Sequence, residues 1–321
     1  MDHNAYIGHP HQLCSVEEVR LVGGKGDGMR LFQIRNADGL EMTVSADRCA
    51  DISRLSYKGC NMGYFSPCGY VAPAHYDREG AGFLKSFTAG FLTTCGLTAA
   101  GAACVDEGEA LPLHGTIGNT PCEHIWWTED EEHFYIHAEV DDSVLFSHKM
   151  HLSRVITVEK FGGSFTIDDT VENRGDVTTP CMVLYHINIG YPLLSEKAQL
   201  DVPSVKVRPR DARAAEDLDT WSTVLQPTAQ FQEQCYYHTF EKEGRATVRN
   251  PEVGRSLTIS FDPENLNSFT QWKMMGVRDY VMGLEPGNCT PCGRDVLRRE
   301  GRLKFLEPGQ SYHYTVKITM E

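Results

Sequence analysis

The sequence predicts a large all-β protein, built as an antiparallel β-sandwich. Apolar and polar side chains alternate with a period of two in His133–Val140 and again in Tyr312–Met320, which is the pattern of half-buried strands. Turn-forming residues separate such segments, as in Glu307-Pro308-Gly309. Helical periodicity is scarce and no βαβ rhythm is present, so a parallel doubly wound sheet is disfavoured. Many antiparallel strands in one continuous unit favour a sandwich of sheets.

Further segments show strand character, and only two short segments favour helices. Strands are predicted at Met29–Ile34, Glu41–Val44, Arg154–Glu159, Ser164–Glu172, Cys181–Ile189 and Ser256–Phe261. Helices are predicted at Asp211–Leu218 and near Ser15–Val19. No low-complexity linker and no internal repeat interrupts the chain, so a single domain over residues 1–321 is expected.

The composition narrows the classes of partner. Hydrophobic residues make up 41% of the chain, enough for a sizeable core, and the net charge of −14 disfavours both nucleic acid and an anionic membrane surface. A neutral small molecule is the more natural ligand. No signal peptide and no run of about 18 apolar residues is present. The 11 cysteines are scattered without framework spacing, which favours free thiols and a cytoplasmic location. The sequence leaves homo-oligomerisation open.

Three segments offer groups that can move a proton. Glu285 stands between Gly283 and Pro286, a pattern that predicts a turn holding the carboxylate out on a rigid backbone. His186 shares a face of its predicted strand with Asn188, and that face becomes polar towards its C-terminal end, as the wall of a pocket would. His114 precedes a glycine, which permits a close backbone approach or a positive φ. Taken singly, each is also consistent with a structural histidine or a solvated carboxylate.

Taken together, these segments resemble the galactose mutarotase-like (aldose 1-epimerase) superfamily, and more closely a branch of aldose 1-epimerase-like proteins. The similarity spans roughly residues 46 to 295, and its order is Leu-His-Gly, then a strand histidine, then a late glutamate. The segments that carry it are Ala46–Ile52, Gly90–Leu97, Leu113–Pro121, Tyr185–Pro192 and Gly283–Asn288. The resemblance implies a β-supersandwich with two histidines and a glutamate at its active site.

By this resemblance, Glu285 corresponds to the general base, His186 to the general acid and His114 to a second histidine that holds the sugar. Such chemistry needs no cofactor, and it implies an acid and a base on opposite sides of the sugar. A histidine with an ordinary pKa near ~6.5 suits an acid at neutral pH. Galactose mutarotases have Tyr-Phe-Asn after their acid histidine, whereas this chain has Ile187-Asn188, and their Gly-Arg-Asn-Arg-like run is missing here. The sugar therefore stays open.

Four more residues are candidates for binding the substrate: Arg48, Asn188, Trp272 and Arg294. The guanidinium of Arg48 can donate hydrogen bonds to hydroxyls or to a carboxylate, although its acidic neighbours also favour a structural ion pair. An indole face such as that of Trp272 can stack on a sugar ring, or it can pack in the core. Arg294 follows the Glu285 segment closely and can line the same pocket mouth.

The sequence predicts neither a metal nor a nucleotide site. His133 and His137 share a strand face, but about 13 Å separates them, too far for one ion. Cys289 and Cys292 form a lone CxxC without a second pair at zinc-like spacing, and no phosphate-binding glycine loop is present.

Three functions remain. The leading one is a cofactor-independent aldose 1-epimerase acting on a sugar or sugar derivative. The alternatives are a non-catalytic carbohydrate-binding protein, and a lyase or other isomerase that acts on a modified sugar with the same acid–base pair.

Overall fold

The computed structural model describes residues 5–321, in which three large antiparallel sheets and three two-stranded pairs form the architecture. The five-stranded sheet has the order β1 (Ser15–Arg20), β2 (Arg30–Arg35), β3 (Leu40–Ser45), β4 (Asp51–Tyr57) and β5 (Cys60–Asn61). The six-stranded sheet has the order β18 (Lys206–Pro209), β19 (Gln234–Thr239), β22 (Ser268–Met275), β23 (Tyr280–Gly287), β16 (Met182–Ile189) and β8 (Leu92–Leu97).

The largest sheet has eight strands, which include the longest of the structure. Their order is β11 (His124–Glu129), β12 (His133–Ser143), β13 (Lys149–Glu159), β14 (Ser164–Asn173), β25 (Ser311–Met320), β21 (Arg255–Phe261), β20 (Gly244–Asn250) and β17 (Gln199–Asp201). The two-stranded pairs are β6 (Tyr64–Phe65) with β7 (Ala89–Gly90), β9 (Cys104–Asp106) with β10 (Glu109–Leu111), and β15 (Thr179–Pro180) with β24 (Phe305–Leu306).

Helices are short and peripheral. The α-helices are α1 (Ala212–Glu216) and α2 (Arg294–Arg299), and 3₁₀ turns lie at Pro10–Gln12, Gly24–Gly26, Pro73–His75, Gly82–Lys85, Ile117–Asn119 and Leu218–Thr220. The predicted helix at 211–218 is confirmed in its central part, where Asp211 caps α1 by accepting a hydrogen bond from the Ala214 N–H at 2.9 Å.

The predicted helix near Ser15–Val19 is wrong, because these residues form strand β1. Val16 is buried and pairs with Ile34, so pairing with β2 and burial against the core outweigh the weak local helical pattern. β-branched residues such as Val16 and Val19 also fit a pleated surface better than a helix.

The core lies between sheets, and the period-two pattern predicts which residues fill it. Phe134, Ile136, Ala138 and Val140 of β12 are all buried, and they join one hydrophobic cluster with residues of the six-stranded sheet such as Ile187. Face-to-face packing of this kind confirms the predicted all-β sandwich.

A buried arginine connects all three large sheets. The guanidinium of Arg154, on β13, donates to both carboxylate oxygens of Asp169 at 2.9 and 2.7 Å. It also donates to Asp51 of β4 at 3.1 Å and to the Thr94 hydroxyl of β8 at 2.8 Å. The Tyr185 hydroxyl of β16 donates to Asp169 at 2.8 Å. With a further bond to the Cys49 carbonyl at 3.0 Å, all five N–H donors of Arg154 have an acceptor, as a buried charge requires.

All 11 cysteines are free thiols, as the sequence predicts. Within residues 5–321, each helix is too short and too polar to cross a lipid bilayer.

Candidate active site

The site is built on two adjacent inner strands of the six-stranded sheet, β23 and β16, and it corrects one prediction from the sequence. Glu285 does not lie on a turn but near the end of strand β23, between β22 and β16. Leu184 pairs with Gly287 and Ile187 pairs with Leu284, so His186 lies beside Glu285. Pro286, which has no N–H to donate, lies between these pairs. A glycine–proline pattern that normally marks a turn is therefore accommodated within a central strand.

Alternation along the strands separates the core from the site. On β16, Tyr185 and Ile187 point into the main core between the sheets. The opposite face begins with Met182 and Leu184, which pack against Leu297 of α2, and it ends with His186 in the cavity. The predicted change from an apolar to a polar face along this strand is what places a histidine at a pocket wall.

Glycine at position 283 makes room for the carboxylate. Gly283 and Glu285 lie on the same face of β23, and a Cβ atom added at Gly283 would overlap Glu285 Oε1. The carboxylate therefore folds back over a residue without a side chain. In this position Glu285 Oε1 lies 3.4 Å from His186 Nε2, a contact that lacks the geometry of a hydrogen bond. The acid and base candidates are thus neighbours on one wall, and the expectation of opposite sides is wrong.

His114 reaches the same place from the loop that follows β10. It adopts a positive φ of 61°, and the following Gly115 has a φ of 75°. A Cβ atom at Gly115 would overlap the carbonyl oxygens of Gly96 and Ala99, so only glycine fits this approach. The resulting turn brings the ring centre of His114 to 5.4 Å from that of His186.

These groups line an open cavity of about 300 Å³. Its apolar walls consist of Phe83, Leu84, Phe87, Ala102, Leu113, Pro291 and Trp272. Its polar groups are His114, His186, Glu285, Arg210, Glu233, Cys235 and Thr270. Apolar walls around convergent polar groups are typical of small-molecule sites.

Aromatic rings surround His186 on several sides. The ring centre of Phe87 lies 5.3 Å and that of Trp272 lies 5.4 Å from the imidazole. Phe83 lies 5.1 Å from the ring of His114. These rings hold both histidines in place and limit the access of water to them.

This enclosure shifts the pKa values of the three groups. Burial lowers the pKa of His186 to about 3, with the neighbouring His114 adding to the effect, and burial lowers the pKa of His114 to about 4. Burial, with a smaller contribution from Glu233, raises the pKa of Glu285 well above its ordinary value. Within residues 5–321, His186 Nδ1, His114 Nδ1 and Glu285 Oε1 are buried without a hydrogen-bond partner. Unpaired buried polar atoms at one cavity indicate a site for a polar ligand.

The four predicted substrate-binding residues lie in different environments. Trp272 forms a wall of the cavity, and its indole N–H donates to Glu233 at 2.8 Å. Asn188 is buried behind the wall, where its side-chain amide donates to the carbonyl of His186 at 2.9 Å. It is thus placed to hold β16 rather than to line the cavity.

Both predicted arginines lie outside the cavity lining. Arg48 is buried and donates to the carbonyl oxygens of Val71 and Ser86, each at 3.1 Å. Arg294 is the first residue of α2 and donates to Asp106 at 2.7 Å and Glu109 at 2.6 Å. Both Arg294 bonds go to carboxylates, whereas both Arg48 bonds come from Nη1. Within residues 5–321, Arg48 Nη2 is buried without a hydrogen-bond partner.

The arginine that does line the cavity is Arg210, which sequence reasoning missed together with Glu233. Arg210 follows β18 and donates to Glu233 at 3.0 Å and to Asp211 at 2.8 Å. Both residues come from loops at one end of the sheet, where period-two patterns stop. The one indication that Glu233 lies near the site is its position in the chain. It stands two residues before Cys235, which pairs with Trp272 across β19 and β22.

No arrangement of three or more histidine, cysteine, aspartate or glutamate side chains able to hold a metal ion occurs in the part of the chain that the structure describes. Cys289 is buried, and the Cys292 thiol lies 3.3 Å from the Thr290 hydroxyl.

Comparison with protein families now places the chain. Residues 26–320 match the family model "Domain of unknown function (DUF4432)". The chain belongs to this family. A search of the curated proteins finds no match.

Solved structures give a finer comparison. The chain is similar to a "putative aldose 1-epimerase" from Klebsiella pneumoniae, with 28% identity, a TM-score of 0.90, and coverage of 96% of this chain and 83% of that one. It also shares the fold of a galactose mutarotase-like protein from Clostridium acetobutylicum, with 14% identity, a TM-score of 0.71, and coverage of 97% and 99%.

A third structure, galactose 1-epimerase from Lactobacillus acidophilus, has 14% identity to this chain, a TM-score of 0.66, and coverage of 96% and 99%. The predicted galactose mutarotase-like fold is confirmed by these neighbours.

Proposed function

We propose that this protein is a cofactor-independent isomerase of the aldose 1-epimerase type, which interconverts the anomers of a sugar or sugar derivative. The observation that supports this most is the contact of His186 Nε2 with Glu285 Oε1 at 3.4 Å in a cavity with aromatic walls. The 28% identical structure with the same fold supports the same reaction class.

The reaction is a pair of proton transfers around one carbon atom. In ring opening, the carboxylate of Glu285 takes the proton of the anomeric hydroxyl, while the imidazolium of His186 gives a proton to the ring oxygen. The bond between the anomeric carbon and the ring oxygen breaks, and an aldehyde and a hydroxyl result. After rotation of the carbonyl, the reverse transfers close the ring on the other face. Because both oxygens are bonded to the same carbon, an acid and a base on one wall can reach both.

The pair needs one proton in total, and the site favours that state. Burial opposes both the imidazolium and the carboxylate, so the empty site favours a neutral imidazole and a protonated carboxyl over the charged pair. This is the form required for ring closure. Ring closure moves the proton from Glu285 to His186 through the two substrate oxygens, and so leaves the form required for ring opening. Each group is thus an acid in one half of the reaction and a base in the other.

The other cavity residues hold the substrate. The imidazole of His114 faces the same space and can donate to or accept from a sugar hydroxyl. Trp272 offers an indole face to the apolar C–H side of a sugar ring. Phe83 and Phe87 keep water away from the reacting atoms.

Anomer exchange measured by polarimetry and by saturation-transfer NMR, across a panel of aldoses, tests the proposal. We expect Glu285→Gln and His186→Asn each to lower the exchange rate by about 10²–10⁴-fold, because each removes one proton-transfer group. Glu264→Gln, at an exposed glutamate outside the cavity lining, is the matched control and should leave the rate unchanged. Accelerated exchange of no sugar, or an unaltered rate in Glu285→Gln, contradicts the proposal. Binding of sugar without exchange indicates a carbohydrate-binding protein instead.

A further inference from the structure

A second cavity of about 360 Å³ adjoins the first. Leu84, Phe87, Glu233 and Trp272 line both cavities, so the two spaces share one wall. The second is completed by Tyr64, Ser66, Pro67, Cys68, Met274, Asp279 and Val281. Each compartment alone is at the small end of the range of about 300–1,000 Å³ that is usual for ligand pockets. The proposed reaction uses only the first compartment.

Strand β22 leads from one compartment to the other. Trp272 and Met274 are two residues apart and therefore lie on the same face of the strand. Trp272 lines both spaces, whereas Met274 lines only the second. The indole is fixed between them by its hydrogen bond to Glu233 at 2.8 Å. A ligand that passes Trp272 therefore stays in contact with one continuous surface.

The second compartment favours a neutral ring over a charged group. Its charged side chains are the carboxylates of Glu233 and Asp279, and among the described residues no lysine, arginine or histidine lines it. Phosphate or carboxylate substituents are therefore disfavoured. Glu233 is already paired with Arg210 at 3.0 Å, which reduces its attraction for a cation. Apolar surface from Tyr64, Met274 and Val281 beside hydroxyl and carboxylate acceptors matches a sugar ring, which has apolar C–H faces and polar edges.

We infer that the substrate is a neutral disaccharide with a free reducing end, an inference that rests on the proposed function. The reducing ring occupies the first compartment, and the second ring occupies the space beside Met274. Because exchange needs a free anomeric hydroxyl at Glu285, the second ring is joined through another hydroxyl of the reducing ring.

Comparing anomer exchange for monosaccharides and for neutral reducing disaccharides of different linkage tests this inference. We expect kcat/KM for at least one disaccharide to exceed that of its reducing-end monosaccharide by about tenfold, which corresponds to about 1.4 kcal/mol of added transition-state binding. In Met274→Trp, the larger side chain takes up part of the second compartment, so the disaccharide should lose this advantage while the monosaccharide rate is kept. Met274→Leu, which nearly conserves volume, is the matched control and should keep both rates.

The outcomes separate this inference from the proposed function. Monosaccharide exchange without any preference for a disaccharide overturns the inference and leaves the function intact. The same holds for a preference that Met274→Trp does not reduce. Exchange of no sugar contradicts the proposed function, and calorimetric binding then decides the subsite. Under that condition, disaccharide affinity no greater than monosaccharide affinity overturns the inference as well.

Discussion

A buried carboxyl group and a buried imidazole that touch titrate as one unit. In His186 and Glu285, burial moves the two pKa values in opposite directions, so the state with one shared proton covers a wide pH range. Ordinary histidine chemistry, with its change near pH 6.5, is not expected here.

The pH profile of anomer exchange follows from this. As pH falls, exchange should be lost only when His186 gains a proton while Glu285 still holds one. The lowered pKa of His186 places this loss at about pH 3. As pH rises, exchange should be lost when the last proton leaves, which the raised pKa of Glu285 places well above 4.5. We therefore expect the acid limb of the kcat/KM profile to show no fall near pH 6.5. Stopped-flow polarimetry over a buffer series measures this, and a fall centred near pH 6.5 on acidification contradicts it.

Strands place the reacting groups, and individual glycines set their final positions. On β23, the missing side chain at Gly283 is what allows the Glu285 carboxylate to fold back towards His186. On the loop before Ile117–Asn119, Gly115 allows the approach that carries His114 into the cavity. Neither glycine contributes a functional group. Each matters because the absence of a side chain allows another group to approach closely.

Gly283→Ala should therefore affect catalysis more than folding. The added methyl group meets the far end of the Glu285 side chain, which can move, and lies 3.0 Å from Trp272 Cβ, which has to shift by only a few tenths of an ångström. The strand should therefore remain intact while the carboxylate is displaced. A displacement of about 1 Å can lower a rate by about 10²-fold, and we expect a fall in kcat of about 10–100-fold with a thermal midpoint close to that of the parent. Gly8→Ala, where the new methyl group meets open space, is the control. Full activity in Gly283→Ala would show that the carboxylate position is not critical.

At the scale of the whole molecule, Arg154 is the residue that connects the sheets. It binds carboxylates from β14 and β4 and a hydroxyl from β8, so each large sheet contributes at least one partner. Its side chain is fully buried, and it is the largest of the fully buried side chains.

Arg154→Met should destabilise the protein strongly. The substitution leaves the buried carboxylates of Asp51 and Asp169 without their cation, and breaking a buried pair in this way typically costs about 3–5 kcal/mol. Arg245→Met removes the partly exposed pair with Asp201, which typically contributes about 0–1 kcal/mol, and serves as the control. Denaturant unfolding measures both free energies, and equal losses in the two variants would contradict the role given to Arg154.

Sequence patterns predicted the fold well where one face of a strand is buried. In β12, alternation alone identified the four core residues, because a one-residue shift would expose all of them. The same reasoning identified the face of β16 that carries His186. It failed for β1, where partner strands decide the structure, and for Glu285, where a Gly–Pro pattern lies within a central strand.

The candidate site was harder to predict at its edges than at its centre. His114, His186, Glu285 and Trp272 do meet at one cavity. Arg48 and Arg294 do not line it, because each donates hydrogen bonds to other residues inside the protein. The sequence around an arginine does not indicate which residue it will pair with. Arg210 and Glu233 were missed because they lie on loops that only tertiary structure brings together.

Pairing of β16 with β23 joins segments that lie roughly a hundred residues apart in the chain. Contacts of such long range form slowly, because closing the intervening loop costs entropy before any contact offsets it. During refolding from denaturant, ellipticity should therefore recover before ligand binding does. Recovery of the cavity then reports on a late stage of chain assembly.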